Sequence, residues 1–216
     1  MKKVNWKYAV GEVIIVMIGI LLAFQLQNWN ESMKDKSLVD SYLSNPKENL
    51  LQDQNQIAEQ RSVLQSIDSS LNQLNQYLYQ RQNVVLTKDE MALIHQLSNW
   101  YYLIIRSTTF NDLFNSGRLN LLPDLDLRLD LSTYYEYSEL VKSFDQGVAQ
   151  SQLSFTNIIV QMVPFGRDSW NVTEKEADQL INMAWYIKGR ITNTLMHLEN
   201  LQDINADIVS SIDGLL

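Results

Sequence analysis

Catalysis and metal binding need particular residue types at fixed spacing, and this chain offers few candidates. His95 and His197 are the only imidazoles in 216 residues, and there is no cysteine. Neither histidine has Glu three residues before it, so the Glu-x-x-His pairs of di-iron bundles are missing, as is a His-Glu-x-x-His zinc helix. His197 reads as a surface or packing residue. Asp124-Leu-Asp-Leu-Arg-Leu-Asp130 spaces its carboxylates somewhat like a calcium loop. It lacks the glycine for the sharp turn and the closing bidentate Glu, so it reads as solvated helix carboxylates. Glu136 with Glu139, and Glu174 with Glu176 and Asp178, are paired acids of the kind solvated helix faces produce. No Gly-x-Ser-x-Gly elbow and no glycine-rich phosphate cradle occurs. These residues predict no catalytic centre, no metal and no cofactor, and the chain reads as non-enzymatic.

One acid stands where it is costly. Glu12 adjoins the apolar run Val13-Ile-Ile-Val-Met-Ile-Gly-Ile-Leu-Leu-Ala-Phe24. A carboxylate at membrane depth moves protons, pairs with another subunit, or snorkels to the interface. Gly11, Ile15, Gly19 and Ala23 recur every four residues on one stripe. Within it Gly19-x-x-x-Ala23 is a small-xxx-small pair that lets a second helix approach closely.

The element that positions these residues is a membrane-length helix. From Tyr8 to Trp29 a helix rises roughly 33 Å, enough to cross a hydrocarbon core of about 30 Å. Trp6 and Tyr8 at one edge and Trp29 at the other suit the two interfaces. The apolar residues outweigh a charge penalty of about 3 kcal/mol, which is smaller near the end where Glu12 lies. Phe24-Gln-Leu-Gln-Asn-Trp offers no signal-peptidase site, and residues 13–24 lack the polar stripe of a soluble helix. The reading is therefore an uncleaved anchor. Lys2, Lys3 and Lys7 precede it, while Lys34 and Lys36 follow. The positive-inside bias then leaves a short cytoplasmic N-terminus and exports the rest.

A net charge of −8 disfavours nucleic acid as a partner, because phosphate binding needs a basic footprint. With 7 Gly and 3 Pro, the chain lacks the punctuation of an all-β fold. The organisation expected is a cytoplasmic tail at 1–7, a transmembrane anchor at 8–29, a juxtamembrane helix or linker at 30–45, and a periplasmic helical bundle at 46–216.

Within 46–216 the signals are helical. Asn45-Pro46-Lys47-Glu48 reads as a helix start. Behind it Leu50, Ile57, Leu64, Leu71 and Leu78 recur every seven residues, joined by Ile67 and Leu74. The second heptad position is polar at Asp53, Gln60 and Arg81. This pattern fits a long bundle helix or an intermolecular coiled coil. Thr87-Lys-Asp-Glu90 is a capping box opening a helix with Met91, Ile94, Leu97, Tyr101 and Ile104 or Ile105 on its inner face. Ser116-Gly117 closes a short helical piece from Thr109. Pro123-Asp124 starts another helix, in which Leu125/Leu129 and Leu127/Leu131 predict burial on two sides. Pro164-Phe-Gly-Arg-Asp-Ser169 marks a break, and Thr173-Glu-Lys-Glu176 caps a final helix of about 40 residues. The fold class is all-α: an N-terminal transmembrane helix, then an antiparallel bundle of about four long helices, one of them kinked or split.

Tyr8-Ala-Val-Gly-Glu-Val-Ile-Ile-Val-Met-Ile-Gly-Ile-Leu-Leu-Ala-Phe-Gln-Leu-Gln-Asn-Trp-Asn-Glu31 resembles the opening of an uncharacterised family of bacterial membrane proteins common in Bacteroidota. That family shows Gly-Glu-Ile, an apolar run, Ala-(Leu/Phe)-Gln and Asn-Trp-Asn-Glu. Thr109-Phe-Asn-Asp-Leu-Phe-Asn-Ser-Gly-Arg-Leu-Asn-Leu-Leu122 is similar to its second landmark, a Ser-Gly-x-Leu turn before a helix with paired Tyr. The resemblance places Gly11, Glu12, Asn28, Trp29, Asn30 and Gly117 at motif positions. It implies an anchor and a helical domain and supplies no activity. Pro46 departs from the pattern.

The expected function is a structural or interaction subunit of an envelope complex, meeting a protein partner or a second copy through the anchor and bundle. The alternatives are a periplasmic sensory module that binds a ligand, or an accessory subunit of an ion-driven membrane machine, the last suggested by Glu12.

Overall fold

The computed structural model describes residues 6–79, 84–97, 101–122, 124–164 and 166–215, without the side chains at 6–10, 14, 31, 32, 34–40 and 96. Three helices dominate: α1 (Trp6–Leu78), α4 (Leu125–Met162) and α5 (Glu174–Asp213). Between α1 and α4 come strand β1 (Val85–Thr87), the short helices α2 (Lys88–Gln96) and α3 (Thr108–Asn115), and a 3-10 turn at Arg118–Leu121. Strand β2 (Ser169–Asn171) precedes α5. The all-α bundle is as expected, with the split element now resolved into α2, α3 and the irregular residues 101–107 before α3.

α1 contradicts the helix start read at Asn45-Pro46. It runs unbroken through Pro46, and Asn45 Nδ2 donates to Ser41 Oγ instead of capping. An interior proline forfeits one helical hydrogen bond, at roughly 3 kcal/mol. Burial of Leu43 before it and Leu50 after it offsets that cost, since both lie in the central hydrophobic cluster. Below Leu43, the 20 residues Gly11–Asn30 have mean hydropathy 1.6, and none of the described side chains there is buried.

The heptad residues Leu50, Ile57, Leu64, Leu71 and Leu78 are all buried, and so are Ile67 and Leu74. They pack against their own chain, so the bundle-helix reading of that seam holds. Antiparallel α5 faces α1, with Lys47 paired to Asp213 at one end and Lys188 hydrogen-bonded to Asn72 towards the other. α4 packs on α5, where Tyr137 Oη meets His197 Nδ1 at 2.7 Å and Phe144 stacks on the His197 ring at 4.4 Å. His197 is thus a packing residue, and His95 is exposed.

Both capping boxes form. Glu90 N donates to Thr87 Oγ1 and Glu176 N to Thr173 Oγ1, while each Glu carboxylate accepts from its threonine's N–H. Each box directly follows a strand, and the two strands pair antiparallel with Leu86 opposite Trp170. Sequence reading missed this clamp, because three-residue strands leave no periodicity to detect. It ties the start of α2 to the start of α5.

Two further expectations fail. Leu127 and Leu131 are buried, but Leu125 and Leu129 are 59% and 57% exposed, so α4 is covered on one side there. Pro123 lies outside the described residues; Asp124 makes the cap, accepting from the N–H groups of Asp126 and Leu127. The helix predicted to continue through Ile105 stops at Gln96. From Tyr101 to Ser107 the chain has no regular secondary structure, and Leu103 and Ile105 point inward while Tyr101 and Ile104 point out. That alternation has the period of extended chain. Gly117, at φ 69°, closes α3 in the left-handed conformation that glycine accommodates best.

Candidate functional site: the apolar segment and the polar core

The residues singled out near the N-terminus all lie on α1. Glu12, Gly19, Ala23 and Trp29 are exposed and Gly11 is half-buried. A Cβ built on Gly11 or Gly19 meets nothing within 4 Å. The small-residue stripe therefore has no partner within the described residues of its own chain. The side chains of Trp6 and Tyr8 lie outside the described residues, as does Arg81.

A second group of functional candidates sits in the bundle, where sequence reading assigned no chemistry. Asp53 and Gln60 occupy the polar positions of the heptad; both are buried, as is Asp145 of α4, which Gln60 contacts. With Asp145 they hold the irregular residues 101–107. A backbone outside helix or sheet must find other partners once buried. Asp145 accepts from Leu103 N at 2.9 Å with Oδ2 and from Gln60 Nε2 at 2.6 Å with Oδ1. Gln60 Nε2 also donates to the Tyr101 carbonyl at 3.2 Å. Asp53 Oδ1 accepts from Arg106 N at 3.0 Å, and its Oδ2 from the Tyr134 hydroxyl at 3.1 Å. Asn205 Nδ2 closes the chain of contacts, donating to Tyr134 Oη and to the Leu50 carbonyl, each at 3.1 Å. Two carboxylates thus replace the ladder that a strand neighbour would supply, linking α1, α4 and α5 through one segment.

Burial pushes both carboxyl groups above the usual carboxylate range. The N–H of Arg106 and the Tyr134 hydroxyl oppose this at Asp53, and the Leu103 N–H and Gln60 oppose it at Asp145. Burial, then the Asp53 charge, raises the phenols of Tyr134 and Tyr135. Tyr135 stacks on Phe110 at 4.4 Å and meets Tyr134 edge-on at 5.0 Å. These groups form a structural lattice without a nucleophile facing an open cleft. The signal available in the sequence was an acid and an amide at core positions of an otherwise apolar heptad.

Neither Asp124 to Asp130 nor the paired acids of α4 and α5 converge. Asp124 caps α4, Glu139 pairs with Lys142 at 2.7 Å, and Glu176 closes its capping box. Among the described residues no group of three or more His, Cys, Asp or Glu is placed to hold a metal.

A family model matches residues 12–154, running from Glu12 through α1, α2, α3 and most of α4. The chain belongs to the family of unknown function DUF6090. Asp53, Gln60 and Asp145 of the polar lattice all lie inside the matched region, whereas Asn205 and the rest of α5 lie beyond it. No curated protein and no solved structure matches the chain.

Proposed function

We propose that this DUF6090 chain is a non-enzymatic, single-span protein of the bacterial inner membrane whose periplasmic bundle is an interaction subunit of an envelope complex. One observation carries the reading: a 20-residue, largely apolar segment, Gly11–Asn30, in which no described residue is buried, continues as one helix into a bundle with its own core. A helical segment of this length with so many exposed apolar side chains is unfavourable in water and favourable in lipid. Lys2, Lys3 and Lys7 before the segment favour a cytoplasmic N-terminus, and the acidity beyond it suits an exported domain.

Cross-linking in native membranes followed by mild-detergent purification tests the interaction reading. A stoichiometric envelope protein or a second copy is expected, and recovery of the uncross-linked monomer alone refutes it. A tag after Leu216 should be cut by protease in spheroplasts while a tag before Met1 is protected; the reverse overturns the orientation. An accessory role in an ion-driven machine gains if Glu12→Gln abolishes growth-linked function while cross-linking survives.

A further inference from the structure

The outer seam between α4 and α5 carries a groove of about 520 Å³ and an adjoining depression of about 530 Å³, with Tyr186 and Arg190 lining both. Pockets of a few hundred cubic ångströms with a few fixed polar groups are the common setting for small ligands. Arg190 stands ready-placed between them. Its Nη2 donates to Tyr186 Oη at 2.7 Å, and the guanidinium carbon lies 5.0 Å from the Tyr186 ring centre. On the facing helix its Nη1 lies over Gly147, where a Cβ would come within 2.6 Å. Gly189 lines the depression, and a Cβ there would meet nothing within 4 Å. Glycine inside a helix costs stability relative to alanine, so two of them beside one arginine keep open a space that side chains would narrow.

The charge pattern defines the guest. Among the described residues Arg190 has no carboxylate at ion-pair distance, in a chain of net charge −8. The neighbouring polar lining is neutral, with Gln150, Ser151 and Asn182 offering both donors and acceptors. A guanidinium fork matches a carboxylate through two parallel hydrogen bonds. One cation among neutral amides balances a single negative charge, whereas a phosphate dianion would leave surplus charge near an acidic protein. We infer that the α4–α5 groove binds a small monocarboxylate bearing hydroxyl or amide groups, such as a sugar acid or an N-acyl amino acid, with Arg190 holding the carboxylate. The inference stands apart from the membrane reading, because α4 and α5 alone build the groove.

The test is saturation-transfer NMR on the full chain in mild detergent, with glucuronate and N-acetylalanine as probes. Glucose, N-acetylalanine amide and inorganic phosphate serve as controls. At least one carboxylate probe should bind with a roughly millimolar constant while the neutral controls do not. Arg190→Gln should weaken that binding at least about tenfold, with the helical spectrum and melting temperature retained. Arg190→Lys keeps the charge but loses the fork, so it should weaken binding by a smaller factor, and this holds the inference open to refutation if Arg190→Gln fails to fold. Gly147→Val should weaken it too by displacing the guanidinium. Absence of signal from both carboxylates, equal signal from the neutral controls, equal competition by phosphate, or unchanged binding in Arg190→Lys and Gly147→Val each overturns the assignment.

Discussion

Single residues in the first turns of α4 separate what is packed from what is merely apolar. Leu127 and Leu129 are two positions apart, yet the first is 1% and the second 57% exposed. Leu127→Ala should cost about 2–5 kcal/mol, while Leu129→Ala should stay within roughly 0.5 kcal/mol. Urea unfolding of the two variants measures this, and equal losses would refute one-sided burial. Alternating leucines could not reveal that difference from sequence, since both faces read as equally greasy. The buried carboxylates make a second residue-scale prediction. A carboxyl whose folded pKa is raised contributes stability that is complete below its ordinary value of 3.8 and is lost as pH rises through the folded value. Asp145→Asn keeps an acceptor for the Leu103 N–H and removes that titration. As pH rises above that ordinary value, the parent should therefore lose more stability than the variant, and parallel pH profiles would show that Asp145 ionises without cost.

At the scale of elements, the heptad, the two capping boxes and the Ser116-Gly117 stop were legible because each rests on chemistry within a few residues. Thr87 and Thr173 find their glutamates three positions on, whatever the rest of the chain does. The stretch from Tyr101 to Ser107 was not legible, because its conformation depends on Asp53, Gln60 and Asp145, which are remote in sequence. A helical pattern ending at Leu97 and a single inward alternation at Leu103 and Ile105 merge easily into one reading. Asp53 and Gln60 were visible as polar heptad positions, but only the fold shows that they face inward. Pro46 was misread for the opposite reason: a strong local signal was overruled by packing on both sides of it. Pro46→Ala should restore one helical hydrogen bond and raise stability by about 1–3 kcal/mol. A lower melting temperature in the variant would mean that the proline fits a strained geometry that α1 needs.

For the whole molecule, the core and the apolar segment are separable. The innermost described residue of the core nearest the N-terminus is Leu43, well past Asn30. Removing residues 1–36 should therefore leave a soluble helical protein with one cooperative melt, checked by circular dichroism and light scattering. Aggregation, or a β-rich spectrum, would tie the bundle's stability to the segment removed. The unbroken course of α1 also makes it a measuring rod. Lys188 meets Asn72, about 42 residues beyond Asn30, so along the helix the Arg190 groove stands roughly 60 Å past the end of the apolar segment. Because the bundle that holds the groove packs on the same helix that carries the apolar segment, azimuth is transmitted with height: each residue gained or lost between Asn30 and Leu43 turns the groove by about 100° and shifts it by about 1.5 Å. A seven-residue insertion restores the facing to within about 20° and raises the groove by about 10 Å. The groove thus stands at a fixed altitude and bearing from the apolar segment, both written into the residue count of a single helix.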